Sequence, residues 1–125
     1  MTLQGCYAAI GGDYEEAFAR LRSDRLVEKF VLKFLDDGSY GLLCRAWEEK
    51  DYGEAFRAAH TIKGICQNLS FVRLLDSSSR LSDALRSGWT PEAETLIEQV
   101  KEDYIMTTDV IRALREEKAD EADAK

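Results

Sequence analysis

Apolar residues recur at spacings of three and four along this sequence, and that periodicity constrains the fold more than any other feature. After Asp24 the large apolar side chains fall on one face of a helix, and the stripe stops at Asp37-Gly38. No segment alternates between apolar and polar residues for long, as a half-buried strand does. The single proline, Pro91, stands where a helix begins, a position at which its missing N–H costs nothing. The sequence therefore predicts an all-α fold.

Turn and capping residues divide the chain into helices of two lengths. The segment of residues 3–22 is broken at Gly11-Gly12 and resumes at Asp13, a good N-cap, so we expect two short helices there and a third from Asp24. Longer helices joined by short connections are what an antiparallel up-down four-helix bundle requires, here with additional short N-terminal helices. The longer helices are predicted near residues 40–50, 52–69, 71–87 and 91–115.

Helix boundaries in the second half of the chain carry their own signals. Asp51 and Glu54 have the spacing of a capping box, in which Asp51 accepts an early N–H of the helix and Glu54 reaches back to the N–H of Asp51. Ser70 is expected to cap the helix that follows. The acidic tail of residues 116–125 is expected to fray. We treat residues 1–125 as one domain.

Charge and hydropathy exclude several classes of protein. With 125 residues, 45% of them hydrophobic, the chain is long enough for one packed domain and too apolar for a disordered one. Its formal charge of −7 at pH 7 argues against a general nucleic-acid binder, which needs a basic surface to displace counterions from phosphates. No apolar run approaches the roughly 18 residues of a membrane span, and the first residues lack the features of a secretion signal. We therefore expect a cytoplasmic protein that binds neither nucleic acid nor membranes.

The acidic charge is not evenly distributed. Residues 91–125 hold 5 basic and 11 acidic groups, whereas residues 51–90 hold 5 basic and 4 acidic groups. The middle of the chain is therefore the least acidic part, and it can present a near-neutral or basic face to a partner.

The cysteines point to packing rather than to chemistry. Cys6, Cys44 and Cys66 are odd in number, and their spacing matches neither a disulfide framework nor a zinc pattern. We interpret them as small buried hydrophobic residues. Because the chain has one histidine, a metal site would have to use scattered thiols and carboxylates, and we predict none.

The helix predicted at residues 52–69 has two distinct faces when its residues are projected at about 100° each. One face is apolar and should point into the bundle. The other faces solvent or a partner and carries the only histidine of the chain. The inward residues are Ala55, Ala58, Ile62, Ile65, Cys66 and Leu69, and the outward ones are Gly53, Phe56, His60, Lys63, Gly64 and Gln67, with Arg57 at the flank.

His60, Lys63 and Gly64 are surface neighbours, because residues three and four apart share a helix face. Neutral imidazole, abundant near pH 7, is a nucleophile that can take up a phosphoryl group, whose negative charge Lys63 would offset. A glycine in a helix interior costs about 1 kcal/mol relative to alanine and usually lets something approach the backbone closely. The alternative, from spacing alone, is a solvated surface histidine with a lysine nearby by chance.

The residues around His60 favour the phosphoryl acceptor. Ala59-His60-Thr61-Ile62-Lys63-Gly64, followed by Asn68-Leu69, resembles the signature of histidine-containing phosphotransfer (HPt) domains, which commonly has the form A-H-T-L-K-G with N-L-G shortly after. The resemblance implies a four-helix bundle whose His60 accepts a phosphoryl group, with Lys63 and Gly64 as supporting neighbours. It also implies that the partners are response-regulator receiver domains and a sensor or hybrid histidine kinase. No cofactor is expected on this chain, since in this family the divalent metal belongs to the receiver's acidic pocket.

The chain departs from that signature after the glycine. Ile65-Cys66-Gln67 replaces the small residues that are usual there, and Ser70 stands where the second glycine often lies. Ile65 and Cys66 should point inward and so affect packing rather than the site. The candidate partner-binding residues are Phe56, Arg57 and Gln67, although Phe56 could equally cover the edge of the bundle and Gln67 could simply be solvated.

The resemblance thus implies a monomeric carrier that moves a phosphoryl group on His60 between receiver-domain aspartates of a two-component phosphorelay, without ATP-dependent kinase activity of its own. The phosphoryl-accepting domain of a chemotaxis-type histidine kinase has a similar motif and stays an alternative, with a separate relay protein favoured if the chain is complete. Another alternative is a non-catalytic helical adaptor that binds a partner through Phe56 and Gln67. An independent enzyme is disfavoured, since spacing assembles no carboxylate pair, nucleophile–base pair or metal cluster.

Overall fold

The computed structural model describes residues 1–123, and helices account for most of them. In that part of the chain, seven α-helices and one 3-10 turn follow one another without any strand, which confirms the predicted all-α class. None of these helices is both long enough and apolar enough to cross a membrane. The elements are α1 (Leu3–Ile10), α2 (Tyr14–Leu21), α3 (Asp24–Lys33), the 3-10 turn (Phe34–Asp36), α4 (Ser39–Glu48), α5 (Tyr52–Leu69), α6 (Val72–Leu85) and α7 (Pro91–Asp123).

The four helices that follow the 3-10 turn pack on one another in chain order. Helix α5 contacts both α4 and α6, and α6 in turn contacts α7. The N-terminal helices join the same core, because α1 packs on α7 and α3 packs on both α5 and α7. The largest fully buried side chains come from both groups of helices: Tyr7, Ile10, Val27, Leu43, Ile62, Phe71, Leu74, Leu81, Leu85, Ile97, Ile111 and Leu114.

Capping residues account for where the short helices begin and end. The Asp13 carboxylate accepts the Glu16 N–H at 3.0 Å, so Asp13 is the N-cap that the sequence predicts. Gly11 ends α1 in the left-handed conformation, with φ at 67°, which glycine adopts without a steric penalty. Ser23 caps α3 in the same way as Asp13 caps α2. The predicted break at Gly11-Gly12 is therefore confirmed.

The turn between α5 and α6 differs from the prediction. Ser70 does not cap α6 but ends α5, in the left-handed conformation with φ at 57° and ψ at 41°. Its hydroxyl donates to Glu16 Oε1 at 2.8 Å and accepts from Arg20 Nη1 at 3.1 Å. Arg20 also donates to the Asn68 carbonyl at 2.7 Å. Serine thus lacks the conformational ease of glycine at this position, but its hydroxyl ties the end of α5 to α2.

Helix α1 also holds the end of α5. The Tyr7 hydroxyl donates to the Leu69 carbonyl at 2.8 Å in the buried interior. The backbone at Gly12, just after α1, packs directly against the Tyr7 ring and the end of α5. A Cβ at Gly12 would lie 2.8 Å from the Tyr7 ring and 3.0 Å from the Ser70 carbonyl oxygen. Only glycine fits there. These contacts supply donors for carbonyl groups that a helix C-terminus leaves without internal partners.

Helix α7 is longer than the sequence predicts. The tail was expected to fray from Glu116, but α7 continues to Asp123, and the last two residues of the predicted tail lie outside the described residues. Alanine, glutamate and lysine dominate this stretch and are strong helix formers. Lys118 Nζ also pairs with Glu28 Oε1 of α3 at 2.7 Å. For residues 116–123 the structure therefore shows helix where fraying is predicted, and helix propensity together with the Lys118–Glu28 pair accounts for the difference.

The three cysteines are free, and the prediction that they are buried is confirmed for Cys6 and Cys66 but not for Cys44. Cys6 and Cys66 are buried in the core and Cys44 is half-buried. Burial raises the pKa of the Cys6 thiol to about 11, and it also raises the pKa of the Cys66 thiol. Both groups therefore stay protonated near neutral pH and pack as small apolar side chains.

Tyr7→Phe tests the link between α1 and α5. The change leaves the buried Leu69 carbonyl without its donor, so we expect the free energy of unfolding to fall by about 1 kcal/mol, measured by urea denaturation. Tyr14→Phe is the matched control, because the Tyr14 ring lies beside Tyr7 but its hydroxyl forms no hydrogen bond within residues 1–123. It should change the free energy by less than about 0.5 kcal/mol. Equal losses in the two variants would contradict the role given to the Tyr7 hydroxyl.

Candidate functional site

Helix α5 carries the candidate site, and its bounds, Tyr52–Leu69, match the predicted range. Asp51 caps its N-terminus, accepting the Glu54 N–H at 3.1 Å. The other half of the predicted capping box is not formed. The Asp51 N–H donates to the Ala46 carbonyl of α4 at 2.8 Å, and the Glu54 carboxylate pairs with the guanidinium of Arg57. Arg57 lies three residues later on the same side of the helix and offers a charged donor, which a carboxylate prefers to a neutral backbone N–H.

The inner and outer faces of α5 are divided largely as the projection predicts, but Phe56, Lys63 and Ile65 are half-buried and lie between the two faces. The exposed residues include His60, Gly64 and Gln67. Ile65, which was expected to point inward, is only half-buried and lines a groove between α3 and α5. It lies at the boundary of the two faces, where α3 covers it only in part. The buried residues are Ala55, Ala58, Ala59, Ile62, Cys66 and Leu69.

His60 is exposed near the middle of α5, beside an aromatic ring. The centre of the Phe56 ring lies 6.0 Å from the centre of the imidazole, and the two planes are inclined by 27°. Phe56 is half-buried and packs against the core. Part of its side chain thus covers the edge of the bundle, and the rest stays at the surface beside His60. In that position Phe56 also borders the imidazole and limits approach to it from one side.

The two basic residues of α5, Arg57 and Lys63, differ in whether they form an ion pair. Within residues 1–123, Lys63 forms no ion pair with a carboxylate. Arg57 is exposed and bound to Glu54, whose hydrogen bond and charge raise the pKa of the Arg57 guanidinium. An anion at His60 would therefore find the Lys63 ammonium available, whereas Arg57 would first have to leave Glu54.

Gly64 presents bare backbone one turn after the histidine. A Cβ atom at this position would meet no other part of the chain within 4 Å, so internal packing does not require glycine here. A groove of about 460 Å³ opens beside Gly64, between α3 and α5, with Phe30, Lys33, Thr61 and Asn68 in its walls. The absence of a side chain thus leaves space outside the protein rather than inside it. That is the arrangement expected where another molecule approaches the helix.

Spacing within α5 could not reveal one further side chain at the site. The guanidinium carbon of Arg86, the residue after α6, lies 5.6 Å from the centre of the Phe56 ring. Arg86 also donates to Asp83 Oδ1 at 3.0 Å. Phe56 and Arg86 meet because α6 follows α5 after a turn of only two residues, which brings the end of α6 beside the start of α5. Counting outward from that turn is the one sequence signal that could have indicated the pair.

The sequence can now be placed among known families. A family model described as Hpt domain matches residues 35–118, about two thirds of the chain. The chain belongs to the Hpt domain family. Comparisons with curated proteins and with solved structures find no match. An Hpt domain indicates phosphotransfer in two-component signalling, and the matched range contains all of α4, α5 and α6 with His60, Lys63 and Gly64, while α1, α2 and α3 precede it.

Gly64→Ala should stabilise this Hpt domain. The new Cβ meets open space and removes the conformational freedom of an interior helical glycine, so the free energy of unfolding should rise by about 0.5 to 1 kcal/mol in urea denaturation. Gly41→Ala, in the first turn of α4, also places its Cβ in open space and should give a gain of the same sign. A loss of stability confined to Gly64→Ala would show that the fold itself needs the glycine.

Proposed function

We propose that this Hpt domain is a phosphotransfer protein of a two-component phosphorelay, and that it carries a phosphoryl group on His60 between receiver-domain aspartates. The observation that carries the proposal is the surface around His60. The imidazole is exposed within the matched range, Lys63 beside it forms no ion pair within residues 1–123, and Gly64 faces open space. The partners are response-regulator receiver domains and a sensor or hybrid histidine kinase.

The transfer is a nucleophilic displacement at phosphorus. A ring nitrogen of neutral His60 donates its lone pair to the phosphorus of an aspartyl phosphate on the receiver. A P–N bond forms as the P–O bond to the aspartate breaks, and the aspartate leaves with that electron pair as a carboxylate. In the reverse direction the carboxylate of a second receiver attacks, and the imidazole leaves. No water enters either step.

The chain contributes charge and position to this reaction. The transferred phosphoryl group spreads negative charge over its oxygens, and the Lys63 ammonium is placed one turn from His60 to offset it. Phe56 borders the imidazole on one side, with 6.0 Å between the ring centres. Catalysis of this type comes from positioning and electrostatic stabilisation, with His60 as nucleophile and leaving group in turn.

The surface near His60 fits a transient complex with an acidic partner. Residues 51–90 carry 5 basic and 4 acidic groups, in contrast to the acidic chain as a whole. The groove beside Gly64 adds the ring of Phe30 to this surface, together with Lys33 and Asp37, whose opposite charges leave the groove near neutral. The proposed docking area is completed by the other candidate partner-binding residues of α5, which are Phe56, Arg57 and Gln67. Electrostatic complementarity of this kind speeds association, and a small interface releases the partner after transfer.

The proposal includes the arrangement and setting of the domain. We place α4, α5, α6 and α7 in an antiparallel up-down bundle, which is supported by their packing in chain order and by the short turns between them. The domain acts as a monomer, since its exposed helix face has to receive one partner after another. We place the domain in the cytoplasm. It needs no cofactor of its own, because the divalent metal belongs to the acidic pocket of the receiver.

His60→Gln tests the phosphoryl-accepting residue. Incubation with phosphorylated receiver domains should label the wild type with acid-labile phosphate and leave His60→Gln unlabelled, because the chain has no other imidazole. Circular dichroism should show the same helix content for both, since His60 is exposed. Label that persists in His60→Gln would contradict the site. A wild type that no receiver labels would favour the non-catalytic adaptor.

Gly64→Gln tests the open space beside the histidine. The long side chain should slow transfer from a receiver about tenfold or more by crowding the docking surface, measured as the rate of label transfer under limiting receiver. Gly41→Gln is the matched control, because it also adds a side chain to open space on a helix. It should transfer at the wild-type rate. Equal rates for all three proteins would contradict the role given to Gly64.

A further inference from the structure

We propose that the cleft between α6 and α7 is a docking site for a basic amphipathic helix of a protein partner, which places a cationic side chain beside the buried carboxylate of Asp103. The inference goes beyond the phosphoryl chemistry of His60 and does not depend on it. It gives the domain a second interaction surface, on a different side of α6 from the one that packs on the histidine-bearing helix.

The buried carboxylate of Asp103 is the observation that carries the proposal. Asp103 is only 4% exposed, although aspartate is rarely buried without a charged partner. Within residues 1–123 the carboxylate accepts one hydrogen bond, from the Gln99 amide at 3.0 Å, and it pairs with no lysine or arginine. A buried carboxylate costs free energy unless a cation compensates it. Because Asp103 lines the cleft, a cation from another molecule can reach it.

The two arginines that line the same cleft do not compensate Asp103. Arg80 pairs with Asp76 at 3.2 Å, and both of these side chains are mostly exposed. Arg73 lies against the end of α1, where a Cβ at Gly11 would be 3.7 Å from the Arg73 Nε. The fold thus leaves the charge of Asp103 to a cation from outside.

The cleft is long and partly apolar. Two adjoining sections of about 540 and 620 Å³ share Arg80, Thr95 and Leu96, so they form one channel between the helices. Val72 lies in one section and Ala84 in the other, and the twelve residues that separate them span about 18 Å of helix. That length suits about three turns of a docked helix rather than a small ion. Val72 is 47% exposed and offers an apolar contact.

The charges around the cleft favour a basic occupant. Its walls carry five carboxylates and two guanidinium groups, and the carboxylates are those of Asp76, Asp83, Glu92, Glu102 and Asp103. Asp76 and Asp83 each have an arginine partner, whereas the other three have none within residues 1–123. A basic amphipathic helix would place apolar side chains over the apolar lining and cations over these carboxylates. Arginine suits Asp103, because a guanidinium is weakly hydrated and can be buried with a carboxylate.

The cleft and His60 lie on different sides of α6. Arg86 borders Phe56 of α5, and Arg80 lies in the cleft six residues earlier on the same helix. Six steps of about 100° place these two side chains about 120° apart around the axis of α6. A helix in the cleft therefore leaves the surface around His60 free for its own partners.

Two synthetic peptides test the cleft. Both are amphipathic helices of 14 residues with leucines along one face, and arginines flank the leucines in one peptide where glutamates flank them in the other. In ¹⁵N-labelled protein, the arginine peptide should shift the amide signals of Ser77, Thr95 and Gln99 and bind at least tenfold more tightly than the glutamate peptide. Equal affinities, no binding at millimolar peptide, or shifts confined to α5 would overturn the proposal.

Asp103→Asn removes the charge and keeps the size of the side chain. Affinity for the arginine peptide should fall about tenfold, and the urea midpoint of the free protein should not decrease, because the uncompensated charge is gone. Asp109→Asn is the matched control, since Asp109 lies on an exposed part of α7 outside the cleft. It should bind the peptide within twofold of the wild type. Equal affinities for the two variants, or a lower urea midpoint for Asp103→Asn, would contradict the role given to Asp103.

The apolar part of the contact has its own pair of variants. Val72→Ser should weaken peptide binding about threefold, whereas Ile105→Ser should leave it unchanged, because Ile105 is 52% exposed but lies outside the cleft. Spermidine, a polycation without an apolar face, should bind at least tenfold more weakly than the arginine peptide. Spermidine that binds as tightly and displaces the peptide would show a cation site rather than a docking surface, and so would overturn the proposal.

Phosphoryl transfer distinguishes the two surfaces. At a saturating concentration, the arginine peptide should leave the rate of label transfer from a receiver to His60 within twofold of the rate without peptide. A peptide that blocks this transfer in competition with the receiver would lie on the His60 surface, which would overturn the inference alone. Failure of His60 to accept label from any receiver would contradict the proposed function and leave the binding results for the cleft in force.

Discussion

The small inner face of α5 is the contact on which the rest of this structure depends. Ala55, Ala58 and Ala59 are all buried there, and α5 packs against two neighbours, α4 and α6. Alanine keeps those neighbours close and leaves the helix little freedom to rotate about its axis. Since successive residues are about 100° apart, a rotation by one residue would carry His60 toward the core. The exposure of the imidazole is thus a consequence of packing on the opposite side of the helix.

Local signals in the sequence predict most of the helices and the faces of α5. The break at Gly11-Gly12, the N-cap at Asp13 and the bounds of α5 each depend on residues within one or two turns of one another, so they can be recognised without knowledge of the fold. The exposed position of His60 is predictable for the same reason, since a helical projection needs only the helix. The role proposed for that histidine is supported both by the motif around it, within the range that matches the family, and by the exposed surface beside it.

Features that depend on distant partners were not predictable in this way. Serine is a residue type that often caps a helix N-terminus, and only the conformation of Ser70 and its contacts with α2 show that it ends α5 instead. The predicted capping box is only half formed, because the Asp51 N–H donates to the Ala46 carbonyl of α4 rather than to Glu54. The position of Arg86 beside Phe56 depends on how α6 returns along α5. In each case the deciding interaction joins groups whose proximity the sequence pattern leaves open.

Because α5 is attached to the N-terminal helices, the part of the chain that matches the family is shorter than the part that has to fold together. The family match begins at residue 35, yet the partners of the Leu69 carbonyl and of the Ser70 hydroxyl lie in α1 and α2. Buried side chains such as Val27 and Val31 of α3 also precede the match. A fragment cut at the family boundary would expose core surface and leave the end of the histidine-bearing helix without its donors. The smallest piece of this chain that can be expected to fold as described therefore begins near α1, well before the part by which it is classified.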